Sequence, residues 1–275
     1  MDVFCMIRTP KKISSISNDR VKMIRSLEMS KERKKTGLFV VEGSAIILTA
    51  KDAGFNPSIL VYGAGKLETE LQKKIVQNAL DAGAEVLEVS SKILEKISAK
   101  SNPQNMLAVY SKRWVNLEKI SPTFKNIYLV LEQIRDPGNL GTIIRTSEAV
   151  GVECIFLVGH CCDPFSRECV RASMGSIFNV PIVSVDTEKF LKWAEVFPGD
   201  IVASMPTAQQ DYRYVKYNLP LLLLMGNESS GLTKKISEIS TIKVKIPMLG
   251  RLDSLNLAVA TALILYQTRE HSLKI

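Results

Sequence analysis

Histidine is scarce in this chain, with His160 and His271 the two in 275 residues. Cysteine offers no framework either. The five stand at Cys5, Cys154, Cys161, Cys162 and Cys169, an odd count in which no pair has zinc-finger spacing. No metal site is therefore expected. The thiols read as free groups in a reducing compartment. Long apolar runs are missing. The longest, around Leu219–Met225, is far short of a membrane span. The opening MDVFCMIRTPKK is too short and too broken for a signal-peptide core. A cytoplasmic, non-membrane protein is expected, with an organellar version left open. The familiar nucleotide and hydrolase signatures are missing too. No G-x-G-x-x-G follows a strand, and no P-loop, H-E-x-x-H, C-x-x-C or G-x-S-x-G occurs.

What is present is a positive balance and a two-part α/β pattern. Lys and Arg number 36 against 28 Asp and Glu, a net charge of +8, which favours a polyanionic partner. The excess crowds between Lys11 and Lys35, where few acidic residues interrupt it. Lys11, Lys12, Arg20, Lys22, Arg25, Lys34 and Lys35 are the candidate nucleic-acid contacts, with Lys31 and Arg33 in the same run. The alternative for this run is a solvated helical face. A membrane-surface helix would need large apolar residues, and the stripe Ile16, Val21, Ile24, Leu27 is modest.

Periodicity predicts a helix over Ser14–Met29, then strands at Leu38–Val41, Ser58–Tyr62, Ala84–Val89 and Met106–Tyr110. Helices fall between them at Ser44–Ala53, Thr69–Ala82 and from Ser90 to Ile97. Residues 1–110 thus read as a small α/β domain, and weak periodicity over 111–125 reads as a linker. Residues 126–275 form a second domain. Its strands are Ile127–Leu131, Cys154–Val158, Val180–Val185, Ile201–Ser204, Leu221–Met225 and Ile242–Ile246. Its helices are Asn139–Val150, a turn near Arg167–Met174, Glu188–Val196 and Leu255–Arg269. That layout is a parallel sheet covered by helices.

In such sheets ligands bind beyond the carboxyl ends of the strands. Three loops there pair glycine with amide, hydroxyl or ionic groups: Glu132–Gly141, Gly226–Gly231 and Pro247–Asn256. A polar ligand gripped largely by backbone is the expected occupant.

These loops carry a resemblance. DPGNLGTIIRTSEAVG (Asp136–Gly151), LLLMGNESSGL (Leu222–Leu232) and IPMLGRLDSLNLAVATAL (Ile246–Leu263) resemble, in order, the three motifs of the SpoU (TrmH-type) class of SPOUT RNA methyltransferases. RASMGSIFNVP (Arg171–Pro181) is similar to the stretch between the first two. The segment ISNDRVKMIRSLEMSKERKKTGLFVVEG resembles, more weakly, the L30e-like substrate-binding domain often found ahead of such enzymes.

The resemblance implies a C-terminal trefoil knot and an S-adenosylmethionine cofactor. It also implies a homodimer whose active sites are completed across the interface, and 2′-O-ribose methylation of RNA. A separate N-terminal domain favours ribosomal RNA. A tRNA enzyme and a non-catalytic ribosome assembly factor are the alternatives. It assigns catalysis to Arg145, Asn139, Glu228, Ser254 and Asn256, with Asn139 expected to position Arg145 or the ribose and Glu228 to orient Arg145 or balance charge near the cofactor's sulfonium. Gly226, Ile246, Met248, Leu255 and Asn256 fall at cofactor-contacting positions. Arg171 and Ser173 fall where RNA or the partner subunit would touch. Asp253 departs mildly from the pattern, which has serine there, and Arg251–Leu252 is a variable stretch.

Overall fold

The computed structural model describes residues 9–98, 104–251 and 253–270, so Cys5, Leu252 and His271 lie outside the described residues. The chain divides into two compact units, Met1–Arg113 with Phe165–Phe178, and Trp114–Pro164 with Asn179–Ile275.

The first unit opens with a short strand, β1 (Lys11–Ile13), and two helices, α1 (Asp19–Ser26) and α2 (Ser30–Thr36). The single helix expected over Ser14–Met29 is therefore shorter and starts later. Asn18 caps α1 by accepting from Arg20 N, and Ile16, ahead of that cap, is 42% exposed rather than part of the buried stripe. Val21, Ile24 and Leu27 are buried as the stripe requires. Then follow β2 (Leu38–Glu42), α3 (Ser44–Asp52), β3 (Ile59–Gly63), α4 (Glu70–Asp81), β4 (Glu85–Val89), α5 (Ser91–Ile97) and β5 (Met106–Ser111). Thr69 and Gln72 form a reciprocal capping box that starts α4. The sheet runs β1-β4-β3-β5-β2, with β5 antiparallel to both neighbours. Its core joins Val40, Val61, Leu87 and Val109 of the sheet to Ile24, Leu27, Ile93 and Ile97 of the helices.

The second unit contributes β6 (Ile127–Glu132), α6 (Pro137–Val150) and β7 (Val152–Val158). The chain then supplies α7 (Arg167–Ala172) to the first unit. It resumes with β8 (Ile182–Val185), α8 (Thr187–Ala194), β9 (Asp200–Ser204), β10 (Gln210–Asp211), β11 (Leu221–Met225), α9 (Lys234–Glu238), β12 (Ile242–Lys245) and α10 (Leu257–Thr268). These strands form a wholly parallel sheet in the order β10-β12-β9-β11-β6-β7-β8. Its central strands β6 and β11 are buried at every position, as expected of strands covered on both faces. Gly151, at φ 74°, ends α6 in the left-handed region. The stretch expected to be a linker is anchored. Val115, Leu117 and Ile120 pack on the core of the second unit, and Ile120 O accepts from the Trp193 indole N–H.

The grouping of 165–178 with the first unit was not visible in the pattern. Aromatic packing accounts for it. Phe165 and Phe178 lie 5.0 and 5.9 Å from the Phe39 ring, and Phe178 meets Phe55 and Tyr110 edge-on.

Candidate active site

The three loops converge at the carboxyl edge of the parallel sheet, and one carboxylate organises them. Glu228, two residues past Gly226, accepts the backbone N–H groups of Arg135 and Asp136 at 3.3 Å, one on each oxygen. The Asn139 amide donates to the same carboxylate at 3.4 Å. Asn139 Oδ1 in turn accepts from Asn256 Nδ2 at 2.8 Å. Asn256 caps α10, its Oδ1 accepting from Ala258 N and Val259 N. This cap fixes the direction of the whole chain. Two backbone donors require the Asn256 oxygen, so its NH₂ faces Asn139, and the Asn139 NH₂ must face Glu228. One residue from each motif is thus joined in a single polar line.

Two further contacts hold the loops behind it. Glu132, the last residue of β6, is 1% exposed and receives both Thr233 N (2.8 Å) and Thr233 Oγ1 (2.7 Å). Gln133 follows with φ 54°, and its carbonyl accepts from Asn227 Nδ2. Gly226 is required by backbone contact. Asn227 and Gly231 bridge to close a tight turn, and a Cβ at 226 would lie 2.2 Å from the backbone of Gly231 and Leu232.

Beside this line is a cavity of about 320 Å³. Gly226, Glu228, Ile246, Met248, Ser254 and Leu255 line it, so most of the expected site residues meet in one place. Asn139 and Asn256 join through the hydrogen bonds above. The lining mixes apolar residues, Met225, Ile246, Met248, Leu257 and Ala260, with polar ones, Asn227, Glu228, Asp253 and Ser254. Ser204, Met205 and Pro206 also line it. Ser204 ends β9 and Met205 and Pro206 follow it at the same sheet edge, in a loop without the glycine and charge that mark the other three.

Arg145 stands apart. It lies on α6, exposed, with no hydrogen bond or ion pair among the described residues, and Glu228 holds the preceding loop rather than this guanidinium. Burial disfavours the thiolate at the cysteines near the site. Burial, then the neighbouring Cys161 and Glu228, push the Cys162 thiol up to about 12, and burial likewise raises Cys161. No metal-binding group of three or more His, Cys, Asp or Glu occurs among the described residues.

In the first unit, Lys12, Arg25, Lys34 and Lys35 are exposed and take no ion pair among the described residues. Lys11 and Arg20 both pair with Glu85, and Lys22 with Asp19. Arg33 is buried and donates to the carbonyls of Leu27 and Glu28, so its charge serves the fold. Arg171 is exposed on α7, whereas Ser173 is buried and donates to Val170 O.

Residues 126–266 match the model of the SpoU rRNA Methylase family. The chain belongs to that family. Residues 18–108 match the MRM3-like substrate binding domain. Among SpoU relatives, the 23S rRNA (guanosine(2553)-2′-O)-methyltransferase RlmP of Bacillus subtilis is 30% identical, over 94% of this chain and 99% of that one. The AdoMet-bound rRNA methyltransferase of Sinorhizobium meliloti superposes with a TM-score of 0.89 at 39% identity, covering 96% of this chain and 99% of that one. The SpoU methyltransferase AviRb of Streptomyces viridochromogenes, with AdoMet bound, gives 0.82 at 26% identity, covering 92% and 97%.

Proposed function

We propose that this chain transfers a methyl group from S-adenosylmethionine to a ribose 2′-hydroxyl of ribosomal RNA. The observation that carries the reading is the Glu228–Asn139–Asn256 line joining the three loops, with Glu228 also lining a cavity of mixed apolar and polar residues. That lining suits the cofactor's chemistry: apolar side chains for a flat adenine, and carboxylates and hydroxyls for a charged amino-acid moiety. Gly226, Ile246, Met248 and Leu255 would hold it. Bound there, the cofactor supplies an electrophilic methyl on a sulfonium.

The protein's work is placement and electrostatics. Glu228 fixes the start of α6 by its backbone donors, and Asn139 and Asn256 keep the second and third loops in register with it. Arginine stays protonated, so Arg145 is a poor proton acceptor and a good partner for an alkoxide or a neighbouring phosphate. Its freedom from intrachain partners leaves the guanidinium available to RNA. Ser254 lines the cavity, where its hydroxyl can hydrogen-bond the incoming ribose.

The same reading includes a homodimer and the threaded, knotted C-terminal segment of SPOUT enzymes. For the dimer, α10 supplies support. Val259, Leu263 and Tyr266, spaced i, i+4, i+7, are 49%, 38% and 49% exposed on a helix whose other face is buried. Residues 1–110 would bind the RNA through Lys12, Arg25, Lys34 and Lys35, joined by Arg171 of the segment that folds with them, and the rest of 126–275 would carry the chemistry. No helix among the described residues is long and apolar enough to cross a membrane. A cytoplasmic location belongs to this proposal.

Labelled S-adenosylmethionine and total RNA from cells lacking the protein provide the test. Label recovered as 2′-O-methylnucleoside in a large ribosomal RNA is the expected result. Label in tRNA would keep the enzyme and change its substrate. No transfer to RNA or to ribosomal particles, with no cofactor binding, would leave a non-catalytic assembly factor.

A further inference from the structure

The first unit holds a second cavity, of about 330 Å³, walled by the loop after α1, by β2 and α3, and by α7. This is within the roughly 300–1,000 Å³ of small-molecule sites. Its floor is apolar, from Val40, Ile46 and Val170, all buried. Its polar groups are unusual. Arg167 has a side chain only 10% exposed, and its Nη1 has no hydrogen-bond partner. Its Nε lies 2.9 Å from Glu28 Oε2, a close ion pair without hydrogen-bond alignment. Glu168 and Arg171 also line the cavity, both exposed and without an ion pair among the described residues. Glu42 completes the wall, accepting from Ser98 Oγ and Gln104 N.

Arg167 is held at the cavity wall by its ion pair with Glu28, and its planar guanidinium is a bidentate donor group. An anion is a poor candidate. The carboxylates of Glu28, Glu42 and Glu168 outnumber the guanidiniums of Arg167 and Arg171, so a phosphate would enter against net negative charge. A neutral, flat ligand carrying both acceptors and donors fits better. Guanine has the matching edges. Its O6 and N7 accept a guanidinium bidentately, and its N1–H and N2–H₂ donate side by side to one carboxylate. Bases splayed from single-stranded RNA are read in this way, on an apolar floor and by their edges.

We propose that this cavity is a guanine-reading subsite, in which Arg167 and Arg171 take the O6/N7 edge and Glu168 the N1/N2 edge of an unpaired RNA base. The inference rests on the RNA-substrate reading above. It goes beyond that reading by assigning base specificity to residues of the first unit rather than to those of the methyl-transfer loops.

The test uses the full chain and a short uridine-rich oligoribonucleotide with one central nucleotide varied. Guanosine, inosine (lacking the 2-amino group), 7-deazaguanosine (lacking N7) and adenosine are compared by fluorescence anisotropy. Wild type should bind the guanosine oligomer roughly tenfold or more tighter than the other three. Glu168→Gln should bring guanosine down to the inosine level, and Arg167→Lys down to the 7-deazaguanosine level. Glu168 is exposed, so its variant remains informative if Arg167→Lys fails to fold. Equal affinity for all four oligomers, or a guanosine preference unchanged in Glu168→Gln, would overturn the proposal. Methyl transfer to ribosomal RNA, measured in parallel, separates the two claims. Transfer without base preference removes this subsite alone. Base preference without transfer keeps the subsite and removes the catalytic reading.

Discussion

At the residue scale, the site separates groups that hold from groups that act. Arg145 is free within its own chain, so Arg145→Ala should leave the loops and cofactor affinity intact while lowering single-turnover methyl transfer on the order of 10²–10³-fold. Retained near-normal transfer would remove it from the mechanism. Glu132 is the opposite case, buried and engaged only with Thr233 in the hydrogen bonds above. Glu132→Ala strands the Thr233 N–H and should destabilise the second unit by about 1–3 kcal/mol, read as a lowered urea midpoint with a loosened second loop. The thiols carry a pH prediction. A raised pKa keeps Cys162 neutral until pH approaches about 12. Alkylation at pH 7.5 should therefore be slow and should accelerate as pH rises. Fast modification at neutral pH would contradict the burial that causes the shift.

At the element scale, α10 and the turn after β11 make the sharper predictions. Aspartate at Val259 and Leu263 together should shift the protein from dimer to monomer by light scattering with its circular dichroism preserved; an unchanged mass would place any dimer elsewhere. Gly226→Ala must move the Gly231 backbone and should weaken S-adenosylmethionine binding together with thermal stability. Much of this architecture was legible because it obeys strong local rules. β11 is a continuous apolar run, α4 carries its capping box, and α6 has Pro137 at its start and Gly151 at its end. The loops stood out because each combines glycine with polar groups after an apolar strand. Other parts obey no local rule. SKERKKT has no apolar residue to reveal α2, and its one buried side chain is Arg33, which caps carbonyls of the preceding turn. β10 is two residues long, too short for a period. Apart from the adjacent Asn227, the partners of Glu228 lie about ninety residues away, at Arg135, Asp136 and Asn139, so folding alone shows that this carboxylate holds a loop.

At the scale of the whole molecule, charge and chain path matter most. The unpaired cations of the first unit predict salt-sensitive RNA binding. Lys34→Ala with Lys35→Ala should flatten the plot of log affinity against log salt by roughly 0.7 per lost contact to single-stranded RNA. An unchanged slope would place the RNA elsewhere.

The path has a different consequence, one of timing. The aromatic cluster of the first unit uses Phe39, Phe55 and Tyr110, yet it closes only with Phe165 and Phe178. A ribosome adds about 5–20 residues per second, so several seconds pass between the emergence of β5 and that of its covering segment. During that interval the nascent chain must carry this aromatic face uncovered, so the first unit completes its core only after part of the second has been made.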